Sequence, residues 1–136
     1  PEVMAGVKKI NVSAATHVPT FLMPAAEVAL GLESEVSIMA DSFRERRSIV
    51  HEAFSSLPGV IVPEPEGAFY ILCDVSGTGM TDIEFATEAL EQAQVQVIPG
   101  SLMKGGEGLI RVSYATSAEN IREGVRRLRH WLESRS

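Results

Sequence analysis

Cysteine is nearly missing from this 136-residue sequence. Cys73 stands alone, so no internal disulfide can close, and neither a CxxC redox pair nor a cysteine-based zinc cage can be built. That usage fits a reducing, cytoplasmic setting. Basic charge is also short: 12 Lys and Arg against 18 Asp and Glu leave a formal net charge of -6. This balance disfavours a nucleic-acid backbone or an anionic membrane as the main partner, and leaves a small molecule or another protein. No apolar run reaches bilayer length, and "PEVMAGVKKI" lacks the n-region, h-region and cleavage pattern of a signal peptide. His17, His51 and His130 are scattered without metal-ligand spacing, which favours structural or surface roles and gives no metal site. Neither a Ser-His-Asp arrangement nor a GxxxxGK[ST] loop is visible.

What is present suits a globular domain, with 45% hydrophobic and 22% charged residues. Apolar residues at Val3, Val7 and Ile10 have helical spacing and predict a first helix ending near Thr16. "FLMPAAEVALGL" predicts a second, with Pro24 in its first turn and Gly31 near its end. The longest helix is expected over 34–57, its stripe running through Val36, Met39, Phe43, Val50, Phe54 and Leu57, with Arg44, Glu45 and Arg46 opposite. "VIV" at 60–62 and "GAFYILCDV" at 67–75 read as strands, separated by the prolines of "PEPEG". Thr81 and Glu84 form a capping box for a helix to about Gln94, and the strand "VQVI" at 95–98 follows at once. After the loop "PGSLMKGGEG" and the strand "LIRVSYA", Ser117 caps a last helix with the stripe Ile121, Val125, Leu128 and Leu132. The expected class is an α/β two-layer sandwich, a small mostly antiparallel sheet covered by helices and preceded by a long helix.

One residue sits oddly in that plan. Strand alternation puts Ile110, Val112 and Tyr114 on the face toward the helices, and Leu109, Arg111 and Ser113 on the other. Arg111 then points either to bulk water or toward a carboxylate or phosphate, whose geometry its planar fork matches. Phe69 and Tyr70 should face opposite ways, one into the core and one toward the open side. Lys104 reads as a surface lysine in its loop, and Cys73 as a plain buried thiol.

In order, "PEPEGAFYILCDV" and "VQVIPGSLMKGGEGLIRVSYATSAENIREGVRRL" resemble the C-terminal small domain of class I/II aminotransferases, the fold type I enzymes that use pyridoxal phosphate. The resemblance rests on the G-A-F-Y tetrad, the P-G-S turn, the G-E-G…I-R-x-S-Y-A strand and the S-x-E-N-I-x-E helix start. "PEVMAGVKKINVSAATHVPTF" is similar to the long helix by which such enzymes pass between domains. Met23-Pro24 and Leu102-Met103-Lys104 depart from the pattern, which carries a glutamine and a small residue at the first place and an aromatic-containing turn at the second.

The resemblance implies that residues 1–33 are an interdomain helical segment and 34–136 the small domain. It implies that Arg111 binds the substrate α-carboxylate and that Phe69 lies near the substrate. No catalytic or cofactor-binding residue is implied within this chain. The Schiff-base lysine, the Asp paired with the pyridinium nitrogen and the phosphate ligands of pyridoxal 5'-phosphate would lie on a large domain whose motifs do not occur in this sequence. The start at Pro1 rather than Met agrees with an upstream portion. The chain alone would then be inactive, and the whole enzyme a homodimer acting on an amino acid and a 2-oxo acid. Two other readings share the same strand and arginine: a non-catalytic module for assembly or amino-acid sensing, and the end of a pyridoxal-phosphate-binding transcription regulator.

Overall fold

Capping signals mark several of the helix ends in the computed structural model, which describes residues 2–14 and 18–135. Helices α1 (Glu2–Ala14), α2 (Met23–Leu30) and α3 (Glu33–Ser55) come first. Strand β1 (Tyr70–Asp74), helix α4 (Asp82–Ala93), strands β2 (Ile98–Pro99) and β3 (Leu109–Ser113) and helix α5 (Ala118–Ser134) follow. Short 3-10 turns lie at Thr20–Leu22, Ser76–Thr78 and Gly100–Leu102. Packing divides the chain into Pro1–Met39 and Ala40–Ser136.

In the first unit, Pro24 lies in the first turn of α2, where its missing amide costs little, and Gly31 caps the helix by donating its N–H to the Val28 carbonyl. The expected end of the first helix at Thr16, and His17, lie outside the described residues. The apolar side chains of this unit, Val3, Phe21 and Leu30 among them, are exposed.

The second unit is a three-stranded antiparallel sheet in the order β1-β3-β2 with helices on one face. In α4 the Thr81 hydroxyl accepts from the Glu84 amide while the Glu84 carboxylate accepts from Thr81 N–H, so the capping box forms as its spacing predicts. Gln94 closes α4 in the left-handed region, at φ 55, which releases the chain into an extended segment at once. In α5 the Ser117 hydroxyl accepts from the Asn120 amide, and Ile121, Val125, Leu128, Trp131 and Leu132 are buried. They meet Phe85 and Ala89 of α4, Val50 and Phe54 of α3, and Ile71, Cys73 and Ile110 of the sheet in one core.

Three expectations are corrected. The strand at 60–62 reduces to one bridge, Ile61 to Asp74, because Pro63 follows with no N–H to continue a ladder. The strand at 95–98 shrinks to Ile98–Pro99 at the sheet edge, where residues 95–97 have no partner in the β3 ladder. Arg46, expected opposite the apolar stripe, instead reaches one of its members: its guanidinium lies 4.1 Å from the Phe43 ring centroid and donates to the Thr116 carbonyl at 3.1 Å. Of the α3 stripe, Val50 and Phe54 are buried, whereas Val36 and Met39 are exposed.

Two outcomes follow from this packing. Gly124 lies within α5, and a Cβ built there meets nothing within 4 Å. Gly124→Ala should therefore gain helix propensity without a clash, about 0.5–1 kcal/mol, seen as severalfold slower amide exchange across α5. Cys73 is fully buried, and that burial pushes its thiol up to about 12. Iodoacetamide at pH 8 should modify the Cys73 peptide only after denaturation, as read by mass spectrometry.

Candidate functional site

Pleating of β3 decides where its arginine goes. Ile110 and Tyr114 are buried against the helices, so Arg111 projects from the opposite face. There the register sets Leu72 of β1 and Ile98 of β2 on either side of it. The guanidinium carbon lies 4.7 Å from the centroid of the Tyr70 ring, and Nη1 is 3.9 Å from the Met103 sulfur. Among the described residues no carboxylate forms an ion pair with Arg111. A half-buried cation flanked by an aromatic ring, a thioether and aliphatic groups keeps its hydrogen-bonding fork available for an anion.

The aromatic side of the site depends on a bent backbone. Ala68 has φ 60, a left-handed conformation rare for a residue with a Cβ. Tyr114 holds it in place: its hydroxyl donates to the Ala68 carbonyl at 2.8 Å and its N–H to the Phe69 carbonyl at 2.9 Å. The bend ends the alternation before Tyr70. Accordingly neither Phe69 nor Tyr70 enters the core, contrary to the expectation that one of them would: Phe69 is 41% exposed and Tyr70 half-buried. Their rings lie 4.2 Å apart between centroids, and Phe43 of α3 lies 6.4 Å from Phe69. Phe69 and Arg111 are thus neighbours through one ring, that of Tyr70.

Opposite this aromatic ledge stands loop 100–108. Gly100 and Gly106 touch through their backbones, and a Cβ on Gly100 would come within 2.0 Å of the Gly106 carbonyl oxygen. The Asp82 carboxylate, only 5% exposed, accepts the Ser101 amide at 2.8 Å and the Gly108 amide at 3.3 Å. Those hydrogen bonds, that of Ser101 foremost, hold its pKa below the ordinary value.

The other sequence candidates take no part in the contacts just described. Lys104 and His130 are exposed, and His51 pairs through Nε2 with the Val62 carbonyl at 3.3 Å. Among the described residues no three His, Cys, Asp or Glu side chains converge as metal ligands, and no helix is long and apolar enough to cross a membrane. Tyr70, Met103 and Asp82 were not singled out as site residues by sequence. Alternation in two strands known to pair would have brought Tyr70 to the face of Arg111. Asp82 carried only a capping-box signal, and nothing local distinguishes Met103.

Comparison with known proteins bears on this arrangement. The model of the family "Aminotransferase class I and II" matches residues 2–128. An aspartate aminotransferase of Pyrococcus horikoshii is 38% identical over 136 residues, covering 97% of this chain and 35% of that protein. A probable aspartate/prephenate aminotransferase of Aquifex aeolicus is 38% identical over 133 residues, covering 93% of this chain and 34% of that protein. The crystal structure of an aromatic aminotransferase from Pyrococcus horikoshii superposes with a TM-score of 0.85 at 36% identity, over 93% of this chain and 35% of that one. The chain therefore spans about a third of the length of the curated relatives it matches.

The Asp82 contacts set a pH dependence. In the unfolded chain this carboxyl titrates near its ordinary 3.8, and in the fold below it. Its stabilisation is therefore complete above the unfolded value and is lost as pH falls through the folded one. Asp82→Asn should cost stability at pH 6, and the gap to the unsubstituted protein should narrow toward pH 2–3, measured by urea unfolding at each pH.

Proposed function

The chain belongs to the aminotransferase class I and II family, and we propose that it forms part of a pyridoxal-phosphate-dependent aminotransferase in which Arg111 binds the substrate α-carboxylate. The reaction moves an amino group between an amino acid and a 2-oxo acid. The observation that carries this reading is the guanidinium of Arg111, without a carboxylate partner among the described residues and held on the open face of the sheet by Tyr70 and Met103. Aspartate, aromatic and aspartate/prephenate are the words in the relatives' names. Amino-acid substrates of those kinds differ in side chain and share an α-carboxylate, the group a rigid fork grips bidentately.

A guanidinium offers hydrogen-bond donors in a rigid fork and no acceptor, so the part of Arg111 is orientation rather than proton transfer. Gripping the carboxylate fixes the substrate's α-carbon relative to the reacting groups, converting translational freedom into a defined approach. Phe69 and Tyr70 supply an apolar wall beside it, and Phe69 lies close to the bound substrate in this reading.

Pyridoxal phosphate is the cofactor of the proposed enzyme, supplying an electron sink for the α-carbon. Lys8, Lys9 and Lys104, the lysines of this chain, are all exposed, which suits surface lysines better than a buried Schiff-base lysine. The proposal assigns its ligands to a large domain outside this chain. Residues 34–136 are assigned as the small domain and 1–33 as the segment leading into it. A homodimer in the cytoplasm completes the proposal, the lone buried cysteine being compatible with a reducing compartment. The non-catalytic module and the regulator are not favoured by relatives whose names are those of aminotransferases.

The test is Arg111→Ala in the full-length protein. kcat/KM for an amino-acid substrate should fall by about two orders of magnitude or more, roughly 3 kcal/mol. Arg111→Lys, which keeps the charge and loses the fork, should recover only part of it, and turnover of an amine without a carboxylate should change little. An unaltered kcat/KM for the amino acid rejects the assignment.

A further inference from the structure

We infer that Asp82 is a positioning residue for Arg111: its carboxylate staples both ends of loop 100–108, which lies against the guanidinium and helps define where a substrate carboxylate is met. The inference rests on the assignment of Arg111 as the carboxylate-binding residue.

Loop 100–108 bridges β2 and β3, the pair that carries Ile98 opposite Arg111. Within itself it closes through Met103 N–H to the Gly100 carbonyl at 2.7 Å, and Gly106 N–H to the Met103 carbonyl at 3.1 Å. These bonds shape the loop and do not fix it to the rest of the domain. Asp82 does so at both ends, through the Ser101 and Gly108 amides. Outside the strand ladders and the Met103 contact on Arg111, Leu109 N–H donates to the Gly106 carbonyl at 3.0 Å and Val75 N–H to the Gly108 carbonyl at 3.1 Å, both at the β3 end. Ser101, two residues before Met103, is thus anchored through Asp82.

The side-chain chemistry suits this task. An ionised carboxylate has two acceptor oxygens and no donor, so it receives two amides from opposite ends of a loop without conflict. An asparagine of the same shape has one oxygen, and its NH₂ would face the other amide. Such a change loosens one end of the loop while leaving the core of α4, Phe85, Ala86 and Ala89, in place. The Met103 sulfur would then cease to hold Nη1, and the fork would sample orientations unsuited to a carboxylate.

Asp82→Asn in the full-length holoenzyme tests this, with Arg111→Ala in parallel. The expected result is a rise of about tenfold in KM for the amino-acid substrate with kcat changed less than twofold, together with faster hydrogen exchange at the Ser101 and Gly108 amides. Met103→Ala leaves the staple intact and removes the loop's contact with Arg111. It should raise KM in the same direction, and it carries the test if Asp82→Asn does not fold. A lowered Tm with KM unchanged would mark Asp82 as structural only and overturn the inference, as would an unchanged KM in Met103→Ala. If Arg111→Ala is damaging while both other variants bind substrate normally, the staple alone is rejected. If Arg111→Ala is itself without effect, the carboxylate assignment falls and the inference with it.

Discussion

The antiparallel pairing of β1 with β3 is the constraint from which the open face of the sheet follows. Its register sets Cys73 against Ile110 and Ile71 against Val112. Three of these four are buried and Val112 is half-buried, so the helices are committed to that side. A shift by one residue would send Arg111 into the apolar core, where a guanidinium would have to be desolvated without a partner. The hydrophobic effect acting on Ile71, Cys73 and Ile110 thus places a cation that it does not touch. The same pairing puts Leu72 beside Arg111 and leaves Tyr70 close enough to lie under its guanidinium.

Two buried polar groups shape the surroundings of that cation, and both act on backbone rather than on Arg111. The Tyr114 hydroxyl reaches from the core to the Ala68 carbonyl and stabilises a left-handed residue, with the result that Phe69 and Tyr70 stack on the outer side. Asp82 does the corresponding work for the glycine-rich loop on the other flank. Each satisfies its hydrogen bonding while buried, which is the condition under which a polar atom in such a place stabilises rather than destabilises.

Much of the scaffold was legible in the residues. The Thr81–Glu84 capping box, the Ser117 cap, the Pro24 and Gly31 boundaries and the α5 stripe are local signals, because a helix end is settled by side chains within one turn of it. Strand extents were read too generously at 60–62 and 95–98, since a ladder needs a partner and an N–H at each step: Pro63 lacks the N–H, and residues 95–97 lack the partner. The Phe69 and Tyr70 reading failed for a related reason: alternation holds only while the backbone stays extended, and Ala68 does not.

The amino-acid order by itself determined that Arg111 leaves the core, since a pleated strand alternates and its neighbours Ile110 and Val112 are apolar. It also carried the motifs that resemble the aminotransferase family. Only the tertiary structure decided what the guanidinium meets and what holds that surrounding loop, because Tyr70 and Met103, which it touches, and Asp82, which staples the loop, lie 41, 8 and 29 positions away along the chain. Contacts over such separations are fixed by strand register, by a bend at Ala68 and by the closure of a loop on one carboxylate. None of these three has a periodicity that a reading of consecutive residues can detect.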